Sequence, residues 1–221
     1  MADYSATRDR VEQYFDRSAT QVWERLTSDA PVSRIRQTVR LGRDRMRALM
    51  LSRLPHDLRG VRVLDAGCGA GQMTAELAAR GADVTAVDIS PALVKIAADR
   101  LPAELTNRVR FASGDMTADH GQFDYVLAMD SLIYYGTADI TAALHRLGSR
   151  THQAVVFTVA PRTPFLMTFW TMGKMFPRKD RSPIMVPHAH HTLNTASGGK
   201  ITKIDRVQGG FYFSDCLEYR P

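Results

Sequence analysis

Cysteine is scarce. Cys68 and Cys216 are the only two in 221 residues, and they form neither a CxxC pair nor a metal spacing. That excludes a disulfide framework and a cysteine-built zinc site, and both residues read as free thiols in a reducing cytoplasm. Histidine clusters once, at His188, His190 and His191, with no carboxylate at ligand spacing. The cluster reads as a polar loop, and no protein metal site is expected. No apolar run approaches the roughly 20 residues that a spanning helix needs. Residues 1–17 are polar and charged, so neither a transmembrane segment nor a signal peptide is expected. Repeats and low-complexity tracts are absent too. Acidic residues are outnumbered, 23 against 29 Lys and Arg, giving a net charge of +6 and a pI near 9.6. That balance permits an anionic substrate, an acidic partner, nucleic acid or an anionic membrane surface, and decides among none of them. The surplus is local: residues 31–60 hold eight arginines against Asp44 and Asp57, a net +6.

What is present is a folded-protein composition, 44% hydrophobic and 24% charged, in a length that suits one domain with additions. The chain is organised around Val61-Arg62-Val63-Leu64-Asp65-Ala66-Gly67-Cys68-Gly69-Ala70-Gly71. A short β-branched run breaks into three glycines within five positions, and a helix-period segment, residues 72–80, follows. This predicts strand, tight turn, helix. Glycine lets the backbone approach a ligand, and the helix start offers unpaired N–H groups to it. The spacing is GxGxG, whereas a dinucleotide-binding turn has GxGxxG. Asp65, just before the turn, repels phosphate and attracts an amine. The second run, residues 83–87, ends in Asp88, a carboxylate that can accept from both hydroxyls of a ribose. Amine, ribose and no phosphate describe S-adenosylmethionine (SAM) better than NAD.

From residue 61 onward strands and helices alternate, which predicts a parallel sheet with helices on both faces. Ser90-Pro91 caps a helix running to about Leu101. Further strands are expected at 108–112, 123–128 and 154–159, and the last two at 201–207 and 210–217. Ligands of such sheets bind beyond the carboxyl ends of the strands, so Asp65, Asp88, Asp115, Asp130 and Tyr134 should share one rim. Residues 1–59 read as a helical extension or lid, with Thr7 capping a first helix and Pro31 in the first turn of a second. On the second, Arg36, Arg40, Arg43 and Arg47 share a face. An insertion, residues 162–197, interrupts the alternation. Its Phe165, Phe169 and Trp170 suit a large flat apolar ligand, a membrane face, or burial against the sheet.

Residues 63–71, Val87-Asp88-Ile89-Ser90 and Gly114-Asp115-Met116 together resemble the class I SAM-dependent methyltransferases. The resemblance implies an α/β, Rossmann-like sheet of seven strands, the last antiparallel. It also implies a SAM site built from Asp65, Gly67, Cys68, Gly69, Gly71, Asp88, Ile89, Ser90, Asp115, Met116, Met129 and Asp130. The Asn/Asp-Pro-Pro-aromatic motif of base amino-methyltransferases is missing after the fourth strand, which reads Asp130-Ser131-Leu132-Ile133-Tyr134-Tyr135, and neither cysteine follows a proline. A nucleic-acid partner is therefore not expected.

Val11-Glu12-Gln13-Tyr14-Phe15-Asp16 with Trp23, Val39-Arg40-Leu41-Gly42-Arg43, residues 128–135, Phe157–Pro161, Arg181-Ser182-Pro183 and Cys216–Pro221 resemble the magnesium-protoporphyrin IX O-methyltransferases of bacteriochlorophyll synthesis, the purple-bacterial type above all. This likeness spans nearly the whole chain. It implies methyl transfer from SAM to one propionate of magnesium-protoporphyrin IX. Tyr134 and Tyr14 would orient that propionate, while Arg36, Arg40 and Arg43, with Phe165, Phe169 and Trp170, would hold the macrocycle. Cyanobacterial and plant members have a histidine in the place of Tyr134, so no imidazole role carries over. Partners implied are the porphyrin itself, the porphyrin-binding subunit of magnesium chelatase and a peripheral membrane contact. The residues alone also admit a tetrapyrrole carrier, or a methyltransferase of another small carboxylic acid.

Overall fold

The computed structural model describes residues 4–16, 33–164, 167 and 184–221. Trp23, Phe165, Phe169 and Trp170, and with them the expected apolar wall of the insertion, lie outside these residues. The elements in chain order are α1 (Tyr4–Tyr14), α2 (Arg34–Leu51), β1 (Arg62–Ala66), α3 (Gln72–Ala79), β2 (Asp83–Asp88), α4 (Pro91–Arg100), a 3-10 turn (Ala103–Arg108), β3 (Val109–Ser113), β4 (Phe123–Ala128), α5 (Thr137–Gly148), β5 (Thr151–Val159), α6 (His190–Ala196), β6 (Ile201–Gly209) and β7 (Tyr212–Tyr219).

The seven strands form one sheet in the order β3-β2-β1-β4-β5-β7-β6. β1 to β5 run parallel, and β7 is inserted antiparallel between β5 and β6. The seven-stranded expectation therefore holds, with the final turn at Gly210-Phe211 rather than at Gly209-Gly210.

Alternation along each strand divides the core in two, because successive side chains leave opposite faces. Leu64, Val126, Val155 and Phe157 point into one layer, under α5 and α6, together with Ile140, Leu144 and Leu193. Val63, Leu127 and Val156 point into the other, with Met46, Met50 and Leu51 of α2 and Leu77 of α3. Strands buried on both faces need continuous apolar runs, which is what β4 and β5 supply.

Ser33 caps α2, its Oγ accepting from Arg36 N at 3.4 Å, so this helix begins later than a first-turn Pro31 would place it. Pro31 itself is outside the described residues. α2 then lies close on β7: a Cβ at Gly42 would stand 2.5 Å from the Tyr212 ring. The expected boundary between 59 and 60 is thus not a packing boundary. α2 belongs to the core, and α1 packs on it through Tyr4, Val11 and the following Phe15. Thr7 does not cap α1 as expected. The helix already begins at Tyr4, and Thr7 is buried on its inner face.

Candidate active site

One cavity, of about 780 Å³ with its open mouth, lies at the carboxyl ends of β1, β2, β3 and β4. It spans the crevice where the strand order reverses, between β1 and β4, the expected place for a ligand of an open α/β sheet. Its floor comes from Gly67, Cys68 and Gly69 after β1, Asp88 and Ile89 from β2, and Asp115 and Met116 after β3. Met129, Asp130 and Ser131 close it after β4. α1 supplies a wall with Tyr4, Arg8, Val11 and the following Phe15, while Arg43 reaches in from α2.

The glycine turn is braced from below. Gly67 N and Cys68 N donate to the Val87 carbonyl at 2.8 and 3.0 Å, Gly69 N to Asp88 Oδ2 at 2.8 Å, and Gly71 N to the Cys68 carbonyl at 3.0 Å. These four N–H groups are engaged by β2 and by the turn itself, so none of them is left for a ligand. The glycines serve space instead. At Gly69 (φ +52) no atom stands within 4 Å of where a Cβ would be, so its open side faces the cavity. At Gly67 (φ +88) a Cβ would overlap the Cβ of Ser131.

Three residues expected to bind the cofactor stand behind the site rather than in its lining. Asp65 is 1% exposed, beneath the turn, and accepts from Thr74 Oγ1 at 2.6 Å. Burial pushes its carboxyl up to about 7, partly offset by the hydrogen bonds from Thr74. It locks the start of α3 to the end of β1. Gly71 caps α3 at φ +84, and a Cβ there would stand 2.9 Å from Ala97 Cβ, so its role is close packing against α4. Ser90 caps α4 as expected, accepting from Leu93 N and donating to Asp16.

Asp88 does line the cavity. Burial raises its carboxyl, while backbone N–H groups of Ser90 and Gly69 lower it. Asp115 is held by Tyr4 Oη at 2.8 Å and by Thr117 N at 2.8 Å. Burial works upward there too, but these hydrogen bonds leave the carboxyl below its usual range. Tyr4 also stacks on Tyr135, with ring centroids 4.9 Å apart, so α1 is fastened over the mouth of β3.

Asp130 occupies the left-handed region, φ +56, alone among the described non-glycine residues. Its carboxylate meets Arg43 at 2.6 Å, Tyr212 Oη at 3.1 Å and Thr158 Oγ1 at 3.2 Å. Arg43 was expected to hold the substrate. It lines the cavity and pairs there with Asp130, both side chains being largely buried. Arg36 and Arg40 do not line the cavity, and Arg47 turns to Asp44 and Glu76.

Tyr134 lines the cavity, and burial raises its phenol, so it remains protonated at neutral pH. Tyr14 does not line it. Its ring packs edge-on against Phe15, 5.2 Å between centroids. Tyr4, Arg8 and Ser131 were missed by sequence reasoning, although Tyr4 and Arg8 are one helical turn apart, a spacing that marks a shared face.

Among the described residues no group of three or more metal-ligating side chains occurs. The histidine stretch is not a polar loop either: His188 is 4% exposed, with Nε2 2.9 Å from the Tyr135 carbonyl, and His190 opens α6.

Residues 128–221 match the family described as magnesium-protoporphyrin IX methyltransferase C-terminus, and residues 63–152 a general methyltransferase domain. The chain is 63% identical to a magnesium-protoporphyrin O-methyltransferase of Rhodobacter capsulatus, covering 100% of this chain and 99% of that one. It is 30% identical to the chloroplastic magnesium protoporphyrin IX methyltransferase of Arabidopsis thaliana, covering 96% and 70%. Among solved structures, magnesium protoporphyrin IX methyltransferase from Synechocystis with bound SAH superposes with a TM-score of 0.81 at 25% identity, over 97% of this chain and 100% of that one.

Proposed function

The chain belongs to the magnesium-protoporphyrin IX O-methyltransferase family, and from that premise we infer its reaction. It is a SAM-dependent O-methyltransferase that esterifies one propionate of magnesium-protoporphyrin IX, a step toward bacteriochlorophyll. The observation that carries this reading is near-complete coverage at 63% identity to a purple-bacterial member.

The cavity fits SAM on its own features. Gly69 leaves open space on the cavity side, Asp88 stands where a ribose can be bound, and Ser131 Oγ is buried without a partner. When bound, SAM supplies an electrophilic methyl group on a sulfonium. The protein's task is then positional. A propionic acid with a pKa of about 4 to 5 is already ionised at neutral pH, so no general base is required to make the nucleophile. Rate enhancement has to come from aligning carboxylate and methyl and from excluding water around the carboxylate. Val11, Phe15 and Leu93 give the cavity an apolar side that excludes water. We assign Tyr134, a neutral phenol in the lining, to orienting the propionate by donating to it.

Incubated with SAM and magnesium-protoporphyrin IX, the protein should yield one porphyrin methyl ester per S-adenosylhomocysteine formed, measured by chromatography and mass. Tyr134→Phe in the same assay should be about tenfold slower with unchanged affinity for S-adenosylhomocysteine. Porphyrin binding without transfer would instead establish a carrier.

Among the described residues no helix is long and apolar enough to cross a membrane. We propose a peripheral contact through the outer face of α2. There Ile35, Leu41 and Phe211 are about half exposed or more, around Thr38, whose Oγ1 lies 3.3 Å from Phe211 N. Arg34 and Arg45, also exposed, share that helical face. Basic residues around apolar tips suit an anionic bilayer surface. Phe211→Ser with Arg34→Gln should reduce co-sedimentation with phosphatidylglycerol vesicles and leave methyl transfer to dissolved porphyrin unchanged. Equal sedimentation of both proteins would exclude this surface, leaving it to a protein such as a magnesium chelatase subunit.

A further inference from the structure

The engaged turn leaves a recognition problem. Gly67 and Cys68 N donate to the Val87 carbonyl, Gly69 N to Asp88 and Gly71 N to the Cys68 carbonyl, so these four backbone donors are taken and an anionic group in the cavity can draw on side-chain donors. Ser131 provides one. Among the described residues its Oγ is the sole buried side-chain polar atom without a hydrogen-bond partner. A hydroxyl held that way lowers the stability of the free protein, which makes it a candidate for a ligand's partner.

Its position is specific. Ser131 lines the cavity directly after Asp130, and its Oγ stands 3.1 Å from where a Cβ of Gly67 would be. The hydroxyl therefore sits across the glycine turn, in the crevice between the ends of β1 and β4. The neighbouring Asp130 carboxylate is matched by Arg43 at 2.6 Å and by Tyr212. No uncompensated negative charge is left at that point to draw in a cation. A hydroxyl proton without an internal acceptor suits a ligand group with oxygen acceptors.

We propose that Ser131 is a positioning residue whose hydroxyl donates to a carboxylate held in the cavity. That carboxylate comes either from the amino-acid end of SAM or from the propionate being esterified. The assignment rests on the reading of this cavity as the site of methyl transfer.

The test is Ser131→Ala in the full chain. Without ligand, its melting temperature should equal or exceed that of the parent, because no internal hydrogen bond is removed. If SAM supplies the carboxylate, calorimetric affinity for S-adenosylhomocysteine should fall about tenfold, the size expected for a hydrogen bond to a charged group. Affinity for decarboxylated SAM should then not change. If the propionate supplies it, affinity for S-adenosylhomocysteine is retained and KM for magnesium-protoporphyrin IX rises instead. A lower melting temperature without ligand would show that the hydroxyl has an internal partner and overturn the proposal. So would unchanged affinities and KM. A parent protein that binds no S-adenosylhomocysteine would refute the reading of the cavity itself, independently of Ser131.

Discussion

Gly67→Ala should weaken binding of S-adenosylhomocysteine by about a hundredfold and lower the melting temperature by about 6 to 12 °C. Two costs combine. The backbone at 67 is left-handed, φ +88, which an alanine pays for with about 1–2 kcal/mol. The new methyl would also overlap Ser131 Cβ, and relieving that overlap costs about 1–3 kcal/mol. Relief has to move either Ser131 or the turn, and moving the turn strains the bonds from Gly67 N and Cys68 N to the Val87 carbonyl. Gly69→Ala is the control. Its φ of +52 is also left-handed, but nothing stands within 4 Å of the new methyl, so binding should suffer and the fold much less. Calorimetry on both variants decides. Equal melting temperatures for the two would mean that the Gly67–Ser131 approach is not tight.

Arg43→Met should destabilise the protein by about 3 kcal/mol, because removing one member of a largely buried ion pair leaves the other charge uncompensated. Arg43 and Asp130 have side chains only 16% and 10% exposed, and Asp130 also anchors Tyr212, on which α2 rests at Gly42. Adding Asp130→Asn should recover part of the loss, since the stranded charge is then gone. Denaturant titration of the single and double variants measures this coupling. If Arg43 instead gripped the porphyrin, the single variant would raise KM at unchanged stability, and the double variant would show no recovery.

The legible part of the sequence was its local grammar. Three glycines after a β-branched run, an acid at the end of the next strand, and Ser90-Pro91 ahead of a helix placed β1, β2, α4 and the rim of the cavity. What each acid and glycine does there was not legible. Asp65 and Asp88 both follow apolar strands, yet one is sealed under the turn by Thr74 while the other reaches the cavity. Gly69 and Gly71 are both left-handed, but one opens on the cavity and the other on Ala97. The arginines of α2 misled for a related reason. Arg47 and Arg43 pair with Glu76 and Asp130, 29 and 87 positions away, and Arg53, just past the helix, with Glu218, 165 positions away, so part of the surplus positive charge of residues 31–60 is answered from elsewhere in the chain. Tyr4 and Arg8 are not legible as site residues, because Thr7 looks like a cap and points to a later helix start. Their role comes from Asp115, more than a hundred positions on.

The order β5-β7-β6 makes the last strand an interior one. β6 pairs with β7 alone, so a ribosome that has released everything up to Gly209 has produced a strand with nothing to join. The sheet can close only after Tyr212–Tyr219 has emerged. Truncation after Gly209 would therefore not trim an edge. It would orphan β6, and it would strip Tyr212 from beneath α2 and from Asp130.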